Sequence, residues 1–405
     1  MFNIVTTHES RIRATPEEFQ KLTASLTPWD RHDPAGAPLS PYYPDTPLVR
    51  RDMANYYDLV TAMDYEVGRL LRELERDGLA DNTVVFYYGD HGRGLTRAKY
   101  WIYDSGIHIP LLIRWPGKII PGTVVDRMVS GIDFGPTVLS ITGLKAPPHM
   151  QGAPFLGRHE APPRRYIFAA RDRIDETYDI IRCARDELYK YIRNHQPCKP
   201  YAQYMFDQDR MPTMQEMRRL HFEAVLRQKR LEEPVDEGPM GLFFTPEKPP
   251  EELYDVTADP HEIRNLAGHP KHRAILERMR KALDDWTAQY GDLGMLPEAE
   301  LERRWRPDGN WSVTVAPVIH VENGPGGGPA RATITCETEG ASTAWTTDPS
   351  PNARWRLYSG PITLERGARL RAVACRLGYQ ESPETISAPA GGSAAAFFPN
   401  ESSDV

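Results

Sequence analysis

The stretch DMANYYDLVTAMDYEVGRLLRELERDGLADNTVVFYYGDHG, residues 52–92, decides the fold. From Tyr56 to Leu74 its apolar residues recur three and four positions apart, which predicts one face of an amphipathic helix. Gly78 stands where a helix C-terminal glycine belongs. The continuous apolar run that follows, residues 82–89, is typical of a short strand covered on both faces. The stretch therefore predicts a helix and then a buried strand that ends in Gly-Asp-His-Gly.

Strands and helices continue to alternate after this stretch. Residues 109–115, IPLLIRW, predict a second buried strand, and residues 126–144 predict a third strand and a helix that Gly143 ends. This alternation indicates an α/β domain with a mostly parallel sheet flanked by helices. Ligands of such sheets bind outside the carboxyl ends of the strands, which is where the Gly-Asp-His-Gly turn is expected.

The remaining sequence changes character twice. Predicted strands such as YIFAARD and a cation-rich helix indicate a smaller α+β subdomain, and later segments that alternate polar and apolar residues between glycine and proline turns indicate a β-sandwich. We expect an α/β domain over residues 1–165, an α+β subdomain over 166–305, a β-sandwich over 310–388 and a flexible tail over 389–405.

Composition narrows the classes of function. A net charge of −7 over 405 residues argues against a nucleic-acid binder. The sequence contains no run of 18 apolar residues, so no membrane span is expected. The four cysteines are scattered, which favours free thiols, although Cys183 and Cys198 leave one pairing open. The N-terminus has no signal-peptide pattern and begins in an apparent strand, so we expect that the natural beginning of the chain is missing. Oligomeric state is left open.

The residues after the predicted strand carry a specific chemistry. Asp90 is a hard oxygen ligand for calcium or magnesium, and His91 can coordinate a metal or donate to an oxyanion. Arg93, Arg97 and Lys99 place positive charge nearby, which suits an anionic substrate such as sulfate or phosphate. Asp-His-Gly is also common in ordinary turns, so these residues by themselves leave a plain polar loop open.

Four ordered segments carry a family resemblance: MDYEVGRLLRELERDGLADNTVVFYYGDHG, KYWIYDSGIHIPLLIRWPG, SGIDFGPTVLSITG and EELYDVTADPHEIRNLAGHP. Together they strongly resemble the sulfatases of the alkaline phosphatase superfamily. FNIVTTHES and KPYAQYMF look most similar to the heparan N-sulfatase-like branch, whose members are N-sulfoglucosamine sulfohydrolases. The resemblance implies an incomplete sulfatase-type α/β fold and a sulfated sugar or glycan as substrate, cleaved at a sulfate ester or an N-sulfate.

The resemblance also implies roles for individual residues. Asp90 and His91 correspond to ligands of one divalent ion, usually Ca²⁺, and His91 is also a candidate for substrate binding. Lys99 corresponds to a lysine that contacts the sulfate group, and His8 to a histidine that binds sulfate or assists the leaving group. Arg97 is a weaker candidate for substrate contact.

The sequence departs from the family at the nucleophile. The formylglycine motif, Cys or Ser followed by x-Pro-Ser/Ala and a nearby Arg, is absent, as are the paired N-terminal aspartates of the metal site. We therefore expect the C-terminal part of a sulfatase, inactive alone, with formylglycine and any signal for periplasmic or secreted export in a missing upstream segment. Two alternatives stay open: a non-catalytic relative that binds anionic glycan, and a metal-dependent phosphodiesterase of the same superfamily.

The predicted β-sandwich resembles the chitobiase-type domains appended to carbohydrate-active enzymes. The resemblance rests on ATITCETEGASTAWTTD and LYSGPITLERGARLRAVACRLGY. Trp345 and Trp355 suit stacking on a sugar ring, but a single tryptophan in a strand more often belongs to the core. A spacer or stability module is an equally good interpretation.

Overall fold

The computed structural model describes residues 3–174, 176–231 and 234–391. The chain divides into two compact units, Met1–Gly294 and Met295–Val405. The helices of the first unit are α1 Glu9–Ile12, α2 Pro16–Leu22, α3 Pro47–Arg76, α4 Asp104–Ile107, α5 Phe134–Ile141, α6 Phe206–Asp209, α7 Pro212–Leu231, α8 Gly238–Gly241 and α9 Arg273–Tyr290. Its strands are β1 Val85–Tyr88, β2 Leu111–Arg114, β3 Ile167–Ile174, β4 Thr177–Arg185, β5 Tyr189–Asn194 and β6 Glu251–Asp255.

The long helix α3 forms as its sequence predicts. Thr46 caps its first turn by accepting from the amide of Val49, and Pro47 opens the helix. Gly78 adopts φ 71°, and its amide donates to the Glu75 carbonyl at 3.0 Å. The next amide reaches back to Leu74, which completes a Schellman C-terminus. The prediction of an amphipathic helix ended by Gly78 is confirmed.

The strands β1 and β2 are both present but run antiparallel. Val85 pairs with Arg114 and Tyr88 pairs with Leu111. The mixed α/β architecture of sheets flanked by helices is confirmed, while this pairing corrects the expected parallel arrangement. The connection between β1 and β2, residues 89–110, is long enough for a parallel crossover, but it folds back on itself, with the amide of Gly92 bonded to the carbonyl of Gly106, and contains only the four-residue helix α4. Residues 126–130, expected as a third strand, form none.

A second sheet lies further along the first unit. Its order is β3-β4-β5-β6, with every neighbouring pair antiparallel, and Leu276, Met279 and Leu283 of α9 pack against Tyr191 and Leu253. The strand β3 follows the prediction made from YIFAARD. The strand β4 has no counterpart in the sequence predictions, because the buried charges within TYDIIRCAR interrupt the apolar run that marks a central strand.

The second unit contains α10 Glu298–Trp305 and two antiparallel sheets. Their strands are β7 Val318–Glu322, β8 Ala330–Thr335, β9 Ser342–Thr346, β10 Arg356–Leu357, β11 Ile362–Leu364, β12 Arg371–Cys375 and β13 Thr385–Ile386, in the orders β10-β9-β12-β13 and β11-β8-β7. Ala332, Leu364 and Ala372 bring both sheets into one core, as a β-sandwich requires, and Trp345 packs against that core. Most of the tail predicted over 389–405 lies outside the described residues.

Two further properties bear on the sequence predictions. All four cysteines are free, with Cys183 buried and Cys198 exposed. Burial raises the pKa of the Cys183 thiol to about 12, which keeps it protonated at neutral pH. In the part of the chain that the structure describes, no helix is both long enough and apolar enough to cross a membrane.

Candidate functional site

The segment after β1, residues 89–106, is a compact loop whose glycines permit close backbone contacts. The amide of Gly92 donates to the carbonyl of Gly106 at 2.8 Å. A Cβ atom at Gly92 would lie 1.9 Å from the carbonyl oxygen of Ser105, so no larger residue fits without moving the loop. At Gly94 a Cβ atom would lie 2.7 Å from that of Glu9. The glycines of this segment therefore serve packing of the loop.

Arg97 anchors the loop from inside. It adopts φ 62°, is only 6% exposed, and donates to the carbonyls of His261 at 2.8 Å and Glu262 at 2.6 Å. Its guanidinium also lies 3.8 Å from the ring centroid of Tyr103. Burial opposes its charge, yet the surrounding tyrosines and Glu262 hold the pKa of Arg97 above its ordinary value. These contacts occupy the guanidinium, and a substrate contact by Arg97 stays a prediction.

A buried charge network fixes the far end of the loop. The Lys190 ammonium lies 2.5 Å from Asp104 and 2.8 Å from Glu262. Although burial alone would raise the pKa of Asp104, Lys190 and Arg185 together hold it below its usual range. Burial raises the pKa of Glu262 despite Lys190. Glu262 belongs to the segment EELYDVTADPHEIRN, which carried part of the family resemblance, so this segment contributes to holding the loop.

The predicted metal ligands share one exposed turn. The Asp90 side chain is 86% exposed, and its Oδ1 accepts from the amide of His91 at 2.9 Å. The Nδ1 atom of His91 lies 2.6 Å from the Gly92 carbonyl, and its Nε2 lies 3.7 Å from Asp90. Within the described residues no cluster of three or more His, Cys, Asp or Glu side chains forms a metal site. Since calcium takes six to eight oxygen ligands, these two residues do not fit a complete calcium site.

The two residues predicted to act on sulfate meet at one carboxylate. The Lys99 ammonium lies 2.6 Å from Oε1 of Glu9, and Nε2 of His8 lies 3.5 Å from Oε2 of the same side chain. Glu9 is buried, whereas the Lys99 side chain is 16% exposed and that of His8 is more open. His8 occupies the N-cap of α1 and Glu9 its first position, so the local backbone places both side chains at this end of the helix.

A small cavity adjoins this carboxylate. Its lining residues are Glu9, Gly94, Leu95, Lys99, Tyr100 and Gln208. Among the described residues, Oε2 of Glu9 and Nε2 of Gln208 are buried without a hydrogen-bond partner. The cavity has room for about one water molecule, and most of the surface that faces it is apolar.

The structure thus brings some of the predicted site residues together and places another away from them. It brings His8 to Lys99, keeps Asp90 and His91 on one turn, and places Arg97 in the interior. Sequence reasoning missed Glu9 and Gln208. The acidic residue directly after His8 was the one available signal for Glu9, while Gln208 has no local signature.

Comparison with known proteins follows the same segments. Residues 4–144 match the family model described as Sulfatase, and residues 89–233 match the one described as N-sulphoglucosamine sulphohydrolase, C-terminal. An ulvan-active sulfatase of Formosa agariphila is 40% identical over 348 residues, which cover 85% of this chain and 56% of that protein. Human N-sulphoglucosamine sulphohydrolase is 28% identical over 295 residues, which cover 66% of this chain and 54% of the human protein.

The chain spans about half the length of these curated relatives. Among solved structures, a putative sulfatase from Bacteroides fragilis superposes with a TM-score of 0.47 at 20% identity, covering 70% of this chain and 52% of that one.

Proposed function

This chain belongs to the sulfatase family, and we propose that it contributes part of the active site of a hydrolase that removes sulfate ester or N-sulfate groups from a sulfated sugar. The observation that carries the proposal is the meeting of His8 and Lys99 at Glu9, since these two residues come from segments far apart in the sequence. The pair lies beside a small cavity that Lys99 and Glu9 help to line.

The residue types suit sulfuryl transfer. The Lys99 ammonium offsets negative charge on sulfuryl oxygens. A cation that the protein holds in place stabilises a transition state more than a hydrated cation in bulk water does. His8 accepts from the Ser10 amide through Nδ1, which leaves its Nε2–H to donate a hydrogen bond to the oxygen or nitrogen that leaves with the sugar. Both side chains reach solvent, so a ligand can approach them without opening the core.

We propose that this chain supplies only part of the metal site and does not supply the nucleophile. Asp90 and His91 would supply two donors to a Ca²⁺ ion, which in sulfatases orients the nucleophile. The 405 residues hold no formylglycine motif, and the curated relatives are about twice as long as the matched region. Residues outside this sequence would therefore supply the nucleophile and the other metal ligands.

Calcium titration of the 405-residue chain tests the incomplete metal site. Calorimetry should show no saturable binding with a micromolar dissociation constant, because two donors on one exposed turn leave most of the coordination shell to water. A micromolar site that is lost in Asp90→Asn would show that this chain holds a complete site, contrary to the proposal. Asp81→Asn, which changes an exposed acid before β1, is the matched control.

The genomic DNA that precedes the Met1 codon tests the enzyme proposal. An in-frame Cys-x-Pro-Ser-x-Arg segment would allow expression of the whole reading frame and assay of sulfate release from glucosamine N-sulfate and glucosamine 6-O-sulfate. Lys99→Ala should then lower kcat/KM by about 100-fold or more, whereas Lys21→Ala, an exposed lysine of α2, should not. An in-frame stop codon directly upstream would overturn the enzyme proposal and favour a non-catalytic relative that binds anionic glycan.

A further inference from the structure

We propose that Glu9 is a positioning residue of this site, whose buried carboxylate holds the Lys99 ammonium in place, beside the His8 imidazole, for a sulfuryl group. This role toward a sulfuryl group rests on the proposed function, whereas the contact between Glu9 and Lys99 does not. The experiment below therefore reads the contact and the sulfate site separately.

The geometry of the carboxylate carries the inference. Glu9 is 2% exposed although it lies in a short helix near the start of the chain. One of its oxygens lies 2.6 Å from the Lys99 ammonium and the other 3.5 Å from Nε2 of His8. A buried carboxylate costs free energy unless it is paired, so a single acid placed against the Lys99 ammonium and beside an imidazole indicates a defined task.

The neighbouring backbone makes room for this arrangement. The amide of Ser10 donates to Nδ1 of His8 at 3.3 Å, and the Ser10 hydroxyl lies 2.9 Å from the same nitrogen. Nε2 of His8 is therefore the nitrogen left to face Glu9. On the other side, a Cβ atom at Gly94 would lie 2.8 Å from Oε2 of Glu9, so the position of the carboxylate depends on a glycine there.

Glu9 also explains how a lysine stays ordered at an open edge. A lysine side chain has high rotamer entropy and one charged end that is strongly hydrated, so an unpaired lysine at this edge would extend into water. A short charge-assisted hydrogen bond to a fixed oxygen limits that freedom. Lys99 thereby presents its remaining N–H donors beside the cavity.

Chemical labelling of lysines in the intact 405-residue chain tests the proposal. An amine-reactive ester modifies only neutral, accessible amines, and mass spectrometry after digestion gives a rate for each lysine. Lys99 should react slowly in the wild type, because its amine is held against Glu9 and is little exposed, and about five- to tenfold faster in Glu9→Gln, where the loss of this charge-assisted bond lets the amine turn toward solvent. Glu9→Asp, which keeps the charge, should restore most of the protection.

Two controls separate positioning from a general loss of structure. Gln208→Leu alters the same cavity without touching the ion pair and should leave the Lys99 rate within about twofold, and the exposed Lys281 should react equally in every variant. If Glu9→Gln does not fold, Gly94→Ala serves instead, because its Cβ displaces the carboxylate without changing any charge. A Lys99 rate that neither variant changes overturns the proposal.

Inorganic sulfate, added at constant ionic strength against chloride, supplies the second readout. Protection of Lys99 by sulfate in the wild type, weakened in Glu9→Gln, supports both the positioning role and the sulfate site. A Glu9-dependent rate without sulfate protection would keep the contact and overturn the sulfate site. Sulfate protection that is equal in the wild type and Glu9→Gln would keep the sulfate site and overturn positioning by Glu9.

Discussion

Removal of the Arg97 guanidinium gives the sharpest test of how the loop after β1 is held. In Arg97→Ala the carbonyls of His261 and Glu262 lose their charged donor inside the protein. The ring of Tyr103 loses the guanidinium that lies 3.8 Å from its centroid. Because Arg97 is almost completely buried, water cannot replace these contacts without entering the core.

The expected cost follows from these contacts. The buried Glu262 carbonyl left without a donor costs about 1–3 kcal/mol, and the His261 carbonyl, whose hydrogen bond is only partly buried, costs about 0.5–1.5 kcal/mol. Loss of the cation–π contact adds about 1–2 kcal/mol, and partial relaxation of the loop offsets some of the total. We expect Arg97→Ala to lower the free energy of unfolding of the first unit by about 4 kcal/mol.

A second substitution at the same position isolates the backbone. Arg97 has φ 62°, a conformation that costs a residue with a side chain about 1 kcal/mol more than glycine. Arg97→Gly loses the same hydrogen bonds as Arg97→Ala but relieves this strain. The glycine variant should therefore be more stable than the alanine variant by about 1 kcal/mol, against the usual order inside regular structure.

Urea denaturation followed by tryptophan fluorescence measures both variants, since the buried Trp101 lies in the same loop. The two compact units call for a fit with separate transitions. Arg69→Ala is the control, because its exposed pair with Glu73 on α3 should contribute within about 0.5 kcal/mol. A loss below about 1 kcal/mol in Arg97→Ala would refute the anchoring argument and return Arg97 to the candidates for substrate contact.

Two further predictions concern one buried acid and one glycine. Burial raises the pKa of Asp52 to about 6, although Thr213 donates two hydrogen bonds to it. Between the pKa of Asp52 in the unfolded chain and that in the native state, the native state binds more protons, so stability falls as the pH rises through about 4 to 6. Asp52→Asn should abolish this slope, with a free energy of unfolding equal to that of the wild type near pH 4 and about 2–3 kcal/mol larger at pH 8. Urea denaturation at both pH values measures this difference, and parallel pH profiles of the two proteins would contradict it. Gly92→Ala should destabilise the chain by more than about 2 kcal/mol, because its Cβ meets the carbonyl of Ser105, whereas Gly36→Ala, with open space around it, should stay within about 0.5 kcal/mol in thermal unfolding. Equal midpoints for the two glycine variants would show that the loop opens at little cost.

Much of the local structure was predictable because local signals specify it. The spacing of apolar residues and the Gly78 signal gave α3 and its C-terminus, and the apolar runs gave β1 and β2. The direction in which β1 and β2 pair was not predictable in the same way, because it depends on the path of the chain between them. The strand β4 was not predicted because its charged residues are paired inside the protein, and a sequence does not show such pairing.

The candidate site divides along the same line. Local patterns were enough to predict the family, the turn that carries Asp90 and His91, and the residue types suited to an anion, because these depend on neighbouring positions and on side-chain chemistry. They could not show that Glu9 lies between His8 and Lys99 or that Arg97 faces the interior. Both depend on contacts between distant segments, whose free energy comes from burial and from charges paired away from water, and neither quantity can be read from one segment alone.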